Sequence, residues 1–386
     1  MFAAQNGHEQ VALVLLEAKA DPNKAHSDGK TALMFAAQNG HEQVALVLLE
    51  AKADPNKAMS DGWTALLLAA QNGHEQVALV LLEAKADPNK AHSDGKTALM
   101  FAAQNGHEQV ALVLLEAKAD PNKAHSDGKT ALMFAAQTGH EQVALVLLEA
   151  KADPNKARPD GFTALMIAAQ NGHEQVAHVL LEAKVDPNQA MPDGMTALMW
   201  AAENGHEQVA LVLLEAKVDP NQAMPDGMTA LMWAAENGHE QVALVLLEAK
   251  ADPNQAESDG MTALMFAAQN GHEQVALVLL EAGASLKVVS IDNFTMLMAA
   301  SLGGLTTVLK RVLPQSDIDA AVVASHATEA GYTALMYAAK AGQQHCVHML
   351  LSAGVRKEVQ TATGKTALSL ARDSGHTVIC DLLCAL

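Results

Sequence analysis

The chain has 386 residues and a formal net charge of −19, and half of its residues are apolar although aromatic residues make up only 3%. The negative charge argues against a nucleic-acid partner, because phosphate binding requires clustered lysine and arginine. Apolar runs such as "VALVLL" are far shorter than the roughly 18–20 residues of a membrane span. The only cysteines are Cys346, Cys380 and Cys384. So few cysteines indicate reduced thiols, and we predict a cytoplasmic protein, with the nucleus as the alternative.

The first segment, "MFAAQNGHEQVALVLLEA", is repeated downstream with a "DG" turn added in front of it. The turn aspartate recurs every 33 residues from Asp28 to Asp292, and two further copies follow at Gly331 and Gly364. Three segments are therefore predicted. Residues 1–25 form a truncated half-repeat, 26–289 form eight near-identical repeats, and 290–386 form three divergent repeats with a five-residue insertion before Gly331.

Each copy predicts a turn followed by two helices. "DG" is typical of a tight turn, Thr31 stands where a helix N-cap is expected, and "ALMFAA" forms the first helix. "NG" ends it, and "EQVALVLLEA" has the apolar spacing of a second helix. "ADPN" ends that helix because proline cannot continue it. Two such helices cannot bury their apolar faces alone, so the copies must stack into an all-α array.

The sequence "DGKTALMFAAQNGHEQVALVLLEAKADPN" resembles the ankyrin repeat family in its period and its turn-plus-two-helices pattern. The resemblance covers the whole chain. It implies an all-α ankyrin-repeat α-solenoid, in which stacked helix-turn-helix units carry projecting β-turn fingers. The chain departs from the family signature T-P-L-H-x-A, with Ala for its Pro and Met for its His. Lysine also replaces the usual glycine after most second helices, which predicts strained or reshaped connectors at about 1 kcal/mol each.

Motifs for catalysis and metal binding are incomplete. "GKT" at Gly29–Thr31 lacks the earlier glycine of a phosphate-binding loop. In "HEQVAH", His173 and His178 are five positions apart and fall on different faces of a helix, so they cannot share one zinc ion. The repeated "GH" histidines are too far apart in successive repeats to share a metal, and they are interpreted as polar turn residues. The sequence therefore predicts no enzyme, no cofactor and no metal site.

Two finger positions vary among otherwise similar copies. The first position is held by His26 and then by Met59, His92, His125, Arg158, Met191, Met224 and Glu257. The second is held by Lys30 and then by Trp63, Lys96, Lys129, Phe162, Met195, Met228 and Met261. The family resemblance implies that such turn positions contact partner proteins, and Trp, Phe, Met and Arg are enriched at interfaces. The alternative is drift at exposed sites.

We predict thirteen partner-binding residues from these two positions: His26, Lys30, Met59, Trp63, Lys96, Arg158, Phe162, Met191, Met195, Met224, Met228, Glu257 and Met261.

Two further sets of positions leave alternatives open. The position of Phe35 varies among large apolar residues on the apolar face of the first helix, which favours packing between repeats over partner contact. A second-helix leucine recurs at Leu13, Leu46, Leu79 and their copies. It forms either an exposed stripe or part of the core.

Charge differs between copies. Residues 92–124 carry four acidic residues and three lysines, whereas residues 191–223 carry five acidic residues and one lysine. A partner with basic and apolar elements would complement the more acidic copies.

The predicted function is a monomeric, non-catalytic scaffold that binds a protein through its fingers and the concave face of its helices. The alternatives are a targeting module of a larger kinase or ubiquitin-ligase assembly whose catalytic part lies outside this chain, and a spacer that binds nothing.

Overall fold

The structure is a computed structural model that describes residues 1–313 and 326–385. These residues form α-helices, turns and isolated β-bridges, and none of them lies in a β-strand. The all-α prediction is therefore confirmed. The chain divides into two compact units, Met1–Pro192 and Asp193–Leu386.

The N-terminal unit contains helix pairs in which a short first helix precedes a second helix of nine residues. Its first helices are Phe2–Gln5, Ala32–Asn39, Ala65–Asn72, Ala98–Asn105, Ala131–Thr138 and Ala164–Asn171. Its second helices are Glu9–Glu17, Glu42–Glu50, Glu75–Glu83, Glu108–Glu116, Glu141–Glu149 and Glu174–Glu182. First helices pack on neighbouring first helices and second helices on neighbouring second helices.

The C-terminal unit repeats this arrangement in its described residues. Its first helices are Ala197–Asn204, Ala230–Asn237, Ala263–Gln269, Met296–Gly303, Ala334–Ala341 and Ala367–Asp373. Its second helices are Glu207–Glu215, Glu240–Glu248, Glu273–Glu281, Thr306–Val312, Gln344–Ser352 and Thr377–Ala385. The predicted segment boundaries at 25/26 and 289/290 stay a prediction. Residues 314–325, where the predicted insertion before Gly331 would fall, lie outside the described residues.

Capping residues explain why the first helix begins and ends where it does. The side chain of Thr64 accepts a hydrogen bond from the amide of Leu67 at 3.3 Å, which satisfies one of the free N–H groups at the helix start. At the other end, Gly73 is left-handed (φ 77°) and its amide donates to the carbonyl of Ala69. The same Thr and Gly caps recur in most copies, so the helix bounds follow from local sequence.

The second helix ends in a Schellman motif with lysine at its left-handed position. Lys52 has φ 65°. Its amide donates to the carbonyl of Leu49, and the amide of Ala53 donates to the carbonyl of Leu48. Seven other lysines at this position have φ between 59° and 71°. Gly283 makes the same pair of bonds with φ 89°. Of the two expectations, strained or reshaped connectors, the left-handed lysines fit the first, and the hydrogen bonds keep the glycine pattern without reshaping.

The core lies between the stacked pairs. In the repeat that begins at Met59, Leu67 and Leu81 are at most 1% exposed, and Ala69, Ala70 and Ala78 are fully buried. The small alanines allow neighbouring backbones to approach closely, while the leucines fill the space between layers. Truncating such a leucine to alanine would cost about 2–5 kcal/mol.

Within each unit, the "GH" histidine ties its repeat to the one before it. The Nε2–H of His107 donates to the carbonyl of Gln71, 36 residues earlier, at 3.1 Å. Its ring lies over Gly73, so closely that a Cβ on that glycine would be 2.7 Å from the ring. Equivalent bonds run from His41, His74, His140, His173, His239, His272 and His376. The histidine is thus a contact between repeats and more than the polar turn residue expected from sequence.

A second tie between repeats forms at the connector. The side-chain amide of Asn56 donates to the carbonyl of Lys85 at 2.9 Å and accepts from the amide of Asp87 at 2.7 Å. Lys90 Nζ donates back to the carbonyl of Asn56 at 2.6 Å. The asparagine thereby satisfies the polar backbone groups that the left-handed lysine leaves at the end of the helix.

Replacing a left-handed lysine with glycine is expected to stabilise the chain. Lys85→Gly removes the steric cost of a Cβ at φ 68° and should raise the free energy of unfolding by about 1 kcal/mol. The midpoint of urea unfolding, followed by circular dichroism, measures the change. Gly283→Lys should lower the midpoint by a similar amount. Equal midpoints for all three proteins would show that the position is unstrained.

Removing the histidine tie is expected to destabilise the chain. His107→Ala leaves the Gln71 carbonyl without its donor and opens space above Gly73, which should cost about 1–2 kcal/mol. His178→Ala is the matched control, because that side chain is 58% exposed and its nearest carboxylate, Glu182, is 3.7 Å away. The control should stay within about 0.5 kcal/mol of the parent in urea unfolding. Equal losses for both substitutions would contradict the tie.

Candidate functional site

The fingers are tight turns, most of them closed by two backbone hydrogen bonds. In one example, the amide of Met59 donates to the carbonyl of Trp63 at 2.9 Å, and the amide of Gly62 donates to that of Met59 at 3.0 Å. The two variable positions are therefore the first and last residues of the turn and lie opposite each other. Side chains at both positions share one surface with the start of the first helix, which is where a partner could touch them together.

The structure leaves eleven of the thirteen predicted contact residues accessible. His26 is exposed and the others are half-buried. They are His26, Lys30, Met59, Trp63, Lys96, Arg158, Phe162, Met191, Met224, Glu257 and Met261. The remaining two, Met195 and Met228, are only 5% and 9% exposed. Burying the thioether of methionine removes no charge from water, whereas burying the ammonium group of Lys30 would. Methionine can therefore be buried at a position where lysine stays half-buried.

In the N-terminal unit, the finger cations and aromatic residues contact one another across repeats. The ring of Trp63 lies 4.9 Å from that of Phe101 in the next repeat. Lys96 Nζ lies 4.5 Å from the ring centroid of Phe134 and donates to Gln104 Oε1 at 2.8 Å. Burial lowers the pKa of Lys96. These side chains form the finger surface and also link neighbouring repeats.

Arg158 and Phe162 border a separate cavity of about 240 Å³ in the N-terminal unit. The Arg158 guanidinium pairs with Asp160 at 2.7 Å and lies 5.6 Å from the Phe162 ring centroid. A finger of this unit thus combines a cation, an anion and an aromatic ring within a few ångströms.

The first four first helices and fingers of the C-terminal unit carry a different charge pattern. Their segments 193–205, 223–238, 256–271 and 289–304 contain seven acidic residues and no lysine, arginine or histidine. The acidic residues are Asp193, Glu203, Asp226, Glu236, Glu257, Asp259 and Asp292. Burial and the charge of Glu236 raise the pKa of the Glu203 carboxyl. This surface therefore has a strongly negative potential and favours a cationic partner.

A cavity of about 660 Å³ opens on this acidic surface. Apolar side chains form much of its lining, and carboxylates stand beside them. The lining includes Met228, Glu257, Asp259, Met261, Phe266, Gln269, Ser290, Ile291, Asp292, Phe294, Leu302 and Tyr337. The sequence predictions include only Met228, Glu257 and Met261 of this set. The sequence feature that could have pointed to this cavity is Ile291, because most other fingers have serine or proline at its position.

Backbone hydrogen bonds link several neighbouring fingers. Other fingers have a proline at the donor position and cannot form this bond. The amide of Ser93 donates to the carbonyl of Asp61 at 2.9 Å. The amide of Ile291 likewise donates to the carbonyl of Asp259 at 2.8 Å. Pro159, Pro192 and Pro225 stand at the same position and have no N–H to donate. The fingers that carry Arg158, Met191 and Met224 therefore lack this particular tie to the preceding finger.

The two sets of positions left open by the sequence differ in burial. At the position of Phe35, the side chains of Leu68, Phe101, Phe134 and Ile167 are at most 7% exposed, as packing between repeats predicts. Five other residues at that position are half-buried: Phe35, Trp200, Trp233, Phe266 and Tyr337. The recurrent leucines Leu13, Leu46, Leu79, Leu112, Leu145, Leu211, Leu244 and Leu277 are half-buried in every copy, which lies between the two alternatives.

A family described as "Ankyrin repeats (3 copies)" matches residues 1–92, 84–158, 150–224, 216–290 and 296–386. The chain belongs to the ankyrin repeat family. Ankyrin repeats are generally modules for protein–protein interaction. A search of curated proteins gave no match. Where the ankyrin signature has histidine, this chain places Met34 and Met100, whose sulfurs accept the amide hydrogens of Thr31 and Thr97.

The described residues offer no membrane span and no metal-binding cluster. No described helix is long and apolar enough to cross a membrane. Within residues 1–313 and 326–385, no group of three or more His, Cys, Asp or Glu side chains is placed to hold a metal ion. Cys346, which aligns with the buried Val44 of an earlier repeat, is 1% exposed, and burial raises the pKa of its thiol to about 11. A thiol with so high a pKa is a poor nucleophile.

The raised pKa of Glu203 predicts a pH-dependent stability. The folded state holds the Glu203 proton more tightly than the unfolded state does. The resulting contribution to the free energy of unfolding is therefore fully present below the ordinary glutamate pKa. It is lost as pH rises through the raised pKa. Glu203→Gln should therefore stabilise the chain more at pH 7 than at pH 4 in urea unfolding. Glu215→Gln, an exposed control, should show no such difference, and identical behaviour of the two variants would contradict the prediction.

Proposed function

We propose that this ankyrin repeat chain is a non-catalytic scaffold that binds a protein partner through its fingers and the accessible sides of its first helices. The observation that carries the proposal is where the repeats vary. Core positions such as Leu99 and Ala102 are nearly invariant among the near-identical copies, whereas the accessible finger positions change to Trp, Phe, Met, Arg or Glu. Variation toward interface-rich residue types on one surface supports partner contact over drift.

The partner that best fits the C-terminal unit has basic and apolar elements. Its first four finger and first-helix segments, between residues 193 and 304, are acidic, and the accessible side chains Met224 and Met261 add apolar contact area. A basic partner would be attracted by the potential and held by apolar burial. The cytoplasmic or nuclear location and the monomeric state stay predictions.

Exchanging the accessible finger residues should abolish partner capture. The triple variant Phe162→Ser, Met191→Ser, Met224→Ser removes apolar contacts from half-buried positions and leaves Met195 and Met228 in the core. Crosslinking pull-down with mass spectrometry should show at least about a tenfold loss of the specific partner, the equivalent of about 1.4 kcal/mol. Circular dichroism should show unchanged helicity.

The matched control replaces three half-buried leucines of the second helices: Leu112→Ser, Leu145→Ser and Leu211→Ser. These residues lie on the other helix of each pair and should leave partner capture intact in a folded variant. Loss of the partner with the leucine set alone would place the interface on the second helices. Capture unchanged by both sets would contradict binding through either surface.

A further inference from the structure

The acidic cavity of the C-terminal unit combines features that none of the regular repeats has by itself. Its lining runs from Met228 to Tyr337 and so draws on successive repeats. Its volume of about 660 Å³ lies within the roughly 300–1,000 Å³ typical of ligand pockets. The repeat that begins at Ser290 contributes Ile291 to the lining, where all the earlier fingers carry Ser or Pro, and Phe294, where they carry Lys, Met, Trp or Phe.

Carboxylates at the cavity are held in place by neighbouring donors. The Glu257 carboxylate accepts from the amide of Asp259 at 2.9 Å and from that of Met261 at 3.1 Å. Asp292 accepts from the hydroxyl of Ser290, which in turn accepts from the amide of Phe294. These bonds orient the acidic groups before any partner arrives, which lowers the entropy lost on binding a cation.

Aromatic rings stand next to these carboxylates. The rings of Phe294 and Tyr337 meet edge to face with centroids 5.3 Å apart. Burial, followed by the charge of Asp292, raises the pKa of Tyr337, so its hydroxyl stays neutral at physiological pH. Phe266, Met228 and Met261 complete an apolar lining. Such a lining suits the alkyl stem of a long basic side chain, while ring faces and carboxylates attract its charged end.

An exposed apolar residue lines the cavity. Ile291 is 70% exposed, at a finger position where earlier repeats carry serine or proline. Isolated exposed apolar side chains are common, but this one borders an open cavity. It offers a contact for an apolar residue of the same partner segment that enters the cavity.

We propose that this cavity binds an arginine or lysine side chain of a partner protein, and that a neighbouring apolar side chain of the partner packs on Ile291. The proposal rests on the proposed function and names the chemistry of the partner at one place. An acidic or uncharged polar residue would leave Glu257, Asp259 and Asp292 without a counter-charge and is disfavoured. The fingers of the N-terminal unit carry Lys30, Lys96, Lys129 and Arg158, so the same segment would not be recognised there in the same way.

A peptide pair tests the proposal with the full chain. The probe is fluorescein-labelled GSLRLRLSG, and its control contains citrulline, a neutral isostere, in place of both arginines. Fluorescence anisotropy at low salt should show binding of the arginine peptide, at least about tenfold weaker binding of the citrulline peptide, and weakening of the first at high salt. Equal affinity for the two peptides overturns the proposal.

Protein variants locate the binding. Glu257→Gln, Asp259→Asn and Asp292→Asn together should weaken the arginine peptide by about tenfold or more. The control, Glu215→Gln, Glu248→Gln and Glu281→Gln, removes the same number of charges from exposed second-helix ends of the same unit and should bind like the parent. Ile291→Ser should weaken both peptides. Equal losses with the two triple variants would show attraction by net charge alone and overturn the proposal.

The two proposals fail separately. If the finger variants Phe162→Ser, Met191→Ser and Met224→Ser lose the captured partner but the cavity variants leave arginine-peptide binding unchanged, the scaffold function stands and the cation site is overturned. If the peptide binds as described but partner capture is insensitive to the finger variants, the cation site is supported and binding through the other fingers is contradicted.

Discussion

The stacking of one helix pair on the next is the interaction on which every other feature depends. A first helix of about eight residues and a second of nine cannot bury their apolar faces within one pair. Each interface within a unit therefore needs a fixed register. That register comes from directional contacts as well as from apolar packing. The ring of His107 over Gly73 and the bond from Asn56 to Lys85 hold opposite ends of neighbouring repeats.

These ties separate stability from recognition. Because the helices, the histidine and the asparagine hold the stack, the first and last residues of each finger are free to change type. The result within the C-terminal unit is a surface with acidic residues, methionine and aromatic rings on an unchanged framework. Two of the changes, Met195 and Met228, turned inward instead and joined the packing. The same position thus serves contact in some repeats and core packing in others, since Met261 is half-buried where Met195 and Met228 are buried.

Much of the fold could be predicted from single repeats. "DG", the capping threonine, "NG" and the proline each act within a few residues, so the helix bounds follow from local chemistry. The role of His107 could not be predicted in this way, because its acceptor lies 36 residues earlier and comes near only after stacking. Nor could the cavity beside Ile291, which forms where divergent repeats meet. Contacts between repeats were thus the part of the structure that local sequence patterns left open.

The near-identity of the interfaces in the N-terminal unit has a consequence for how such a gene can change. The bond from His74 to Gln38 is matched by that from His107 to Gln71 and that from His140 to Gln104. Deleting or duplicating 33 residues between equivalent positions would therefore rejoin two complementary faces. The number of repeats can change in whole steps without any repacking of the core, and each step adds or removes one finger with its own pair of variable residues.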